Sequence, residues 1–447
     1  MQVTKRKKAV DASPRLFSWK NLAALYVICV FALPQYFGVP LPGFALTALR
    51  LVTLIILAAF AVQPRRGRTF LLESAQVELN FFLIPIFLVY LYTAIAVKSV
   101  NSVAGFVADN LAVLYILAYL IRHELGVESF LKLFRIVFVV VCLVALYDML
   151  RRTNLFEYLR TIKSIQGGSL WRGGSYRVAG MVTHPIGFGM YLMLMLPLAL
   201  IDPDSRRINL VRYIPIAGLA FLVMLGTGSR GPQACLAGEI LIFYFLTDKA
   251  VRRRGAGWLV LVLAILLFVV IVFNGERHVD RWVWMNLLQI VDQIFGTHFT
   301  LDRYGYWQYS IISNSTEYRD YLPQIFFSPK LNPLLGQGNQ GDGVSFTAGG
   351  YFIQSVDNFY VLQYIRYAWP GVIATLFCFF GFIVETVRCR VSKVRSNVLW
   401  AILVALIFYF VNLWTVADLG TFKYLFAVGA VLYAIQAAWH EPKADRA

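Results

Sequence analysis

The side chains best suited to chemistry in this chain stand on short polar stretches that border apolar ones. They are Arg172, Arg177 and His184 in "WRGGSYRVAGMVTHPIGFG", Arg230 in "GTGSRGP", Arg303 in "TLDRYGYWQYSI", and Asp357 with Asn358 in "FIQSVDNFYVLQYIRYAWPG". An arginine fork matches phosphate oxygens two at a time, so arginines on loops beside apolar segments suit a phosphate-bearing anion. A carboxylate such as Asp357 can take a proton as general base. Plainer roles exist for each residue. An interfacial arginine snorkels to lipid, a histidine before proline starts a helix, and an aspartate at a helix start caps free N–H groups.

The flanking residues describe the elements that must position these groups. His184-Pro185 opens an apolar run, and proline suits a first helical turn. Gly187 and Gly189 allow neighbouring helices to approach closely. "GTGSRGP" joins two apolar runs in one tight turn, whose glycines permit positive φ and whose N–H groups can form an anion-binding nest. Glu239, in the run that follows, is expected to pair between helices. Gly336-x-Gly338 in "SPKLNPLLGQGNQGDG" has no strand–helix frame and is a turn, not a nucleotide fingerprint.

The 447 residues are 59% hydrophobic and 15% charged, with a mean hydropathy of +0.65. That excludes an ordinary soluble domain. The net charge of +17 lies in short runs between apolar segments, which argues for topology signals and membrane lipid rather than nucleic acid. The five cysteines are scattered without a C-x-x-C pair, so no disulfide framework, zinc site or other metal site is expected, and no cofactor.

The fold class is therefore an all-α integral membrane protein. About twelve transmembrane helices start near Asn21, Gly43, Val77, Ala104, Phe130, His184, Val211, Gly231, Gly257, Asp357, Asn397 and Gly420. Residues 1–20 form a basic cytoplasmic N-terminus. Residues 21–273 hold helices one to nine, 357–438 hold ten to twelve, and 439–447 form a cytoplasmic tail. A large, partly helical periplasmic cap is expected at 274–356, between the ninth and tenth helices. Basic loops alternate along the chain, and by the positive-inside rule both termini are cytoplasmic. The external loop 151–183 breaks that rule, with six Arg or Lys against Glu157. Cations retained on the wrong side suggest an anion arriving from the outer leaflet.

Taken in order, "RVAGMVTHPIGFGMYLMLMLPL", "LGTGSRG", "DRYGYW", "PLLGQG" and "VDNFYVLQYIRYAWPG" resemble the O-antigen ligase and polymerase superfamily of bacterial envelopes, over roughly residues 175–375. The resemblance implies a metal-independent, inverting membrane glycosyltransferase of the bacterial inner membrane, with its site facing the periplasm. Its donor would be an undecaprenyl-pyrophosphate-linked oligosaccharide and its partner an acceptor glycan, with scope for a chain-length co-polymerase. By motif position Arg177 and Arg303 would hold pyrophosphate and Arg230 would be the arginine of the short family turn. Arg172 and His184 would join them in substrate binding, with Asp357 and Asn358 catalytic. Ligases of the superfamily usually carry histidine before the asparagine. Asp357 in that place favours a polymerase of O-antigen or exopolysaccharide over a ligase acting on lipid A–core. A lipid-linked oligosaccharide flippase is the alternative of another class, although a flippase needs a cationic cavity open to both sides.

Overall fold

The computed structural model describes residues 18–439 apart from 42–43, 166, 173–174, 256, 258–287, 289–290, 293–294, 306–318, 320, 339–345, 349–350, 354–355, 392–396 and 418–419. The described residues are mostly helical, with four small antiparallel hairpins. The main helices are α1 (Trp19–Phe31), α2 (Ala48–Val62), α3 (Pro64–Ala75), α4 (Asn80–Ala96), α5 (Asn101–Leu125) and α6 (Val127–Arg151). They continue as α7 (Pro185–Leu200), α8 (Ile214–Gly226), α9 (Arg230–Leu246), α10 (Phe359–Val391), α11 (Asn397–Asn412) and α12 (Phe422–Trp439).

Four described helices are long and apolar enough to cross a bilayer: α5, α6, α10 over Phe359–Cys389, and α12. A fifth crossing is present if α2 and α3, bent by 117° at Gln63, count as one. Five more apolar helices are shorter than that: α1, α4, α7, α8 and α11. The expected ninth helix lies almost entirely outside the described residues, as does most of the expected cap at 274–356, including Trp282, Trp284, Trp307 and Glu317.

Helix α7 is the central element. Almost every one of its residues is buried, as befits a helix that is apolar all round. Its start is fixed locally, because the His184 side chain accepts a hydrogen bond from Ile186 N–H at 3.1 Å and Pro185 fills the first helical position. Tyr191 donates to the Phe31 carbonyl at 3.1 Å and so ties α7 to α1. Helices α8, α9 and α11 pack around α7. At the end of α11, Asn412 donates to Cys235 Sγ of α9 at 2.8 Å.

Helix α10 is broken at Ala368, whose backbone has φ 55° and ψ −163°. Pro370 is the local cause: it has no N–H to give Arg366 and its ring crowds the carbonyl one turn back. In a membrane those freed groups need new partners. The "PLLGQG" loop supplies them for the Ile365 carbonyl and the Trp369 N–H, whose mutual helical bond is lost at the break. Gln337 N–H donates to Ile365 O at 3.0 Å, and Trp369 N–H donates to Pro333 O at 3.1 Å. Gly336 lies so close to the Arg366–Tyr367 peptide that a Cβ would stand 2.1 Å from Arg366 O. The sequence reading of this loop as a plain turn missed that role. Gly336→Ala is expected to cost about 1–3 kcal/mol or more, since the contact is backbone against backbone. Gly218→Ala in α8, where a Cβ meets nothing within 4 Å, is expected to be neutral or slightly stabilising. Thermal unfolding of the two detergent-solubilised variants checks the contrast.

Candidate functional site

The site is built where the 170–184 loop meets the turn between α8 and α9. Backbone hydrogen bonds from Arg177 N–H to Leu170 O (2.7 Å) and from Val178 N–H to Gly226 O (2.8 Å) lay the loop along the turn. The Arg177 guanidinium is then buried. Its Nε donates to Thr227 O at 2.8 Å and its Nη2 to Ser229 Oγ at 3.1 Å. Gly228 takes φ +59°, and a Cβ there would lie 3.3 Å from Arg177 Nε. The turn is thus shaped around the guanidinium.

This geometry corrects the expectation of an anion nest. The N–H groups of Thr227, Gly228 and Ser229 are consumed inside the turn by Met224 O, Leu225 O and Thr227 Oγ1. What the turn offers Arg177 is a carbonyl and a hydroxyl. It holds a cation, and the cation can face an anion.

A cavity of about 340 Å³ lies beside this turn. Arg172, Arg177, Arg230 and Arg319 line it, with Asn412 and Trp414 on the wall formed by the end of α11. Arg319 also forms an ion pair with Asp357, Nη2 to Oδ2 at 3.3 Å. The structure therefore gathers three of the arginines singled out in the sequence and links them, through a fourth, to the acid. Burial lowers the Arg177 pKa to about 10, with Arg172 adding to the effect and Asp357 opposing it. The side chain stays cationic at neutral pH. Such a ring of guanidiniums can hold a multiply charged phosphate-type anion without other counterions.

Asn358, not Asp357, caps α10. Its Oδ1 accepts from Val361 N–H at 3.1 Å, and the residue is buried. Phe359 N–H donates to Leu413 O (2.8 Å) and Val416 O (3.0 Å), which docks this helix start on the end of α11. Asn358 thus orients the Asp357 backbone through the cap, while Asp357 keeps its side chain partly exposed toward Arg319.

His184 is pressed against Gly168, where a Cβ would stand 1.9 Å from its Cδ2. Burial lowers its pKa from the ordinary 6.5 to about 4, helped by Arg177 and Arg172 and opposed by Asp357. It is neutral at physiological pH, so it offers no charge to an anion. Because the folded pKa is depressed, its contribution to stability is fully present above about 6.5 and is lost as pH falls toward about 4. The thermal midpoint is expected to fall over that window, and to fall less in His184→Asn, which keeps a capping side chain but does not titrate.

One of the singled-out arginines is placed elsewhere. Arg303 lies on the short helix Phe299–Tyr304, exposed, and is not among the residues lining the cavity. Asp302 is exposed on the same helix. Arg319, which the sequence reading did not single out, stands in the cavity instead. Its surroundings, "STEYRDYLPQ", look like an ordinary solvated charge run. Glu239 is wholly buried on α9, and neither carboxylate oxygen has a hydrogen-bond partner among the described residues. The expected helix-pairing role is thus not seen there. The described residues also contain no group of three or more His, Cys, Asp or Glu arranged to hold a metal ion.

No protein-family model matches the sequence. No curated protein shows significant similarity to it.

Proposed function

We propose that this protein is a membrane glycosyltransferase that polymerises lipid-pyrophosphate-linked oligosaccharide repeats, into O-antigen or exopolysaccharide, at the periplasmic face of a bacterial inner membrane. The observation that carries the reading is the cavity lined by Arg172, Arg177, Arg230 and Arg319, with Asp357 ion-paired at its edge. In the reaction, a hydroxyl of the acceptor sugar attacks the anomeric carbon of the donor. The carbon–oxygen bond to the pyrophosphate breaks, and its electron pair stays on the departing pyrophosphate. The arginines stabilise that charge as it develops. Asp357 takes the hydroxyl proton and later gives it to water. One displacement inverts the anomeric centre.

The twelve-helix topology belongs to the same proposal. Helices α1, α2, α4 to α9 and α10 to α12 begin near the places where the charge alternation puts eleven of the spans. With that count, the arginine cavity and the loop 152–184 share one side, external, and both termini share the other. Reporter fusions at Lys330 are expected to behave as periplasmic and those at Arg253 as cytoplasmic. The same side at both positions would overturn the topology.

The function is tested with purified protein and a lipid-linked oligosaccharide. A ladder of products, unchanged by EDTA, is expected. Transfer of one glycan to lipid A–core with no ladder would make the protein a ligase, and movement of the lipid across vesicles with no new glycosidic bond would make it a transporter.

A further inference from the structure

We propose that the corner between α2 and α3 is a seat for one anionic phospholipid, on the side opposite the arginine cavity. The proposal rests on the membrane-spanning reading and on that sidedness, and is independent of the glycosyltransferase reading.

Helix α3, "PRRGRTFLLESA", divides its residues by what they touch. Arg66 pairs with Glu124 and lies over the Trp19 ring at 4.8 Å. Glu73 accepts from Arg122 at 2.9 Å and contacts His123 Nε2 at 2.8 Å. Phe70 stacks on Phe60 with ring centroids 4.7 Å apart. Those three hold α3 against the bundle. None of the helix's residues is fully buried, and Leu71 is 66% exposed.

Between α2 and α3 the bend leaves a groove of about 450 Å³. Its walls are apolar, from Leu57, Phe60, Ala61, Pro64, Phe70 and Leu71, and Arg68 is the charged residue that lines it. Arg65 and Arg68 make no ion pair among the described residues, in contrast to Arg66. An amphipathic helix with arginines on its outer face is the arrangement that lies in the plane of a membrane interface. An apolar groove lined by the Arg68 guanidinium, with Arg65 exposed one turn earlier on the same helix, fits an acyl chain attached to a phosphate headgroup. A net-neutral lipid would leave the two cations uncompensated, so charge complementarity selects an anionic one.

Phosphatidylglycerol and phosphatidylcholine, titrated separately into the full-length protein in detergent and read by native mass spectrometry, test the seat. One phosphatidylglycerol is expected to be retained in clear excess over phosphatidylcholine. Arg65→Ala/Arg68→Ala is expected to weaken phosphatidylglycerol about ten- to thirtyfold and leave phosphatidylcholine unchanged. Leu71→Gln should weaken both lipids. Because Arg65 and Arg68 make no ion pair among the described residues, the double variant is expected to keep its thermal midpoint in lipid-free detergent. It should lose the rise in midpoint that phosphatidylglycerol gives the unaltered protein. Equal retention of the two lipids, or undiminished phosphatidylglycerol binding by the double variant, would overturn the proposal. Glycerol phosphate competing as well as the whole lipid would also overturn it, by removing the groove from the site.

Discussion

Replacing Arg319 with alanine is expected to reduce polymer formation about 10²–10³-fold, the loss that follows removal of one preorganised donor to a developing negative charge. Replacing Arg303 is expected to change it little. The contrast is the sharpest test of the arginine cavity, because Arg319 lines it and Arg303 does not. Arg177 should show the same loss with an added structural cost. Its guanidinium donates to Thr227 O and Ser229 Oγ, so Arg177→Ala removes two buried charge-assisted hydrogen bonds, leaves Thr227 O with the Ser229 hydroxyl as donor at 3.3 Å, and is expected to cost about 1–3 kcal/mol of stability. Arg177→Lys keeps the charge but cannot make both bonds from one rigid fork, and should recover folding better than activity. Single-turnover rates and thermal midpoints, measured on the same preparations, separate the two effects. Equal activity losses from Arg303→Ala and Arg319→Ala would sink the cavity as the pyrophosphate site.

Asp357→Asn is expected to abolish most polymerisation while leaving the fold intact. Asn358 already caps α10, so the substitution removes no cap. The ion pair lost with Arg319 is partly exposed and contributes about 0–1 kcal/mol at most. The loss of a general base reduces rate about 10²–10⁴-fold. Asp357→His, which restores a proton acceptor at that place, should keep part of the activity. An Asp357→Asn protein that makes the normal ladder would leave the carboxylate with no more than a pairing role. Asn358→Ala has the opposite profile: it orphans the Val361 N–H and should lower stability by about 1 kcal/mol before any effect on chemistry is considered.

The helical class and most helix positions were legible because they depend on hydropathy and on cap chemistry that acts over a few residues. His184-Pro185 at the start of α7 and the tight turn at Gly226–Gly231 are of this kind. Arg172, Arg177 and Arg230, which line one cavity, were also marked in the sequence, since each stands on a polar stretch that borders an apolar run. Arg319 was not. A residue inside a mixed-charge stretch acquires its meaning only from the cavity that the fold brings to it. The choice between Asp357 and Asn358 as the cap was equally hidden, because both residue types cap well and their positions differ by one. The break at Ala368 could have been suspected from Pro370. Its repair by a loop some thirty residues earlier depends on backbone groups, which leave no mark in residue type beyond Gly336.

That repair separates two tasks that an unbroken helix would fuse. In a continuous rod the depth and heading of Asp357 would be dictated by whatever the bilayer-crossing portion requires. Here the first piece of α10 is joined to the rest through one non-helical residue and is braced by the 333–337 loop. The carboxylate is therefore aimed by the piece before Ala368 and its brace, and the portion beyond Ala368 is relieved of that duty. If the proposed function holds, changes in the brace would re-aim the acid toward a differently shaped acceptor sugar without altering the match between helix and bilayer. On the proposed glycosyltransferase reading, acceptor choice would be inherited through the 333–337 loop, and membrane fit through the helix beyond the break.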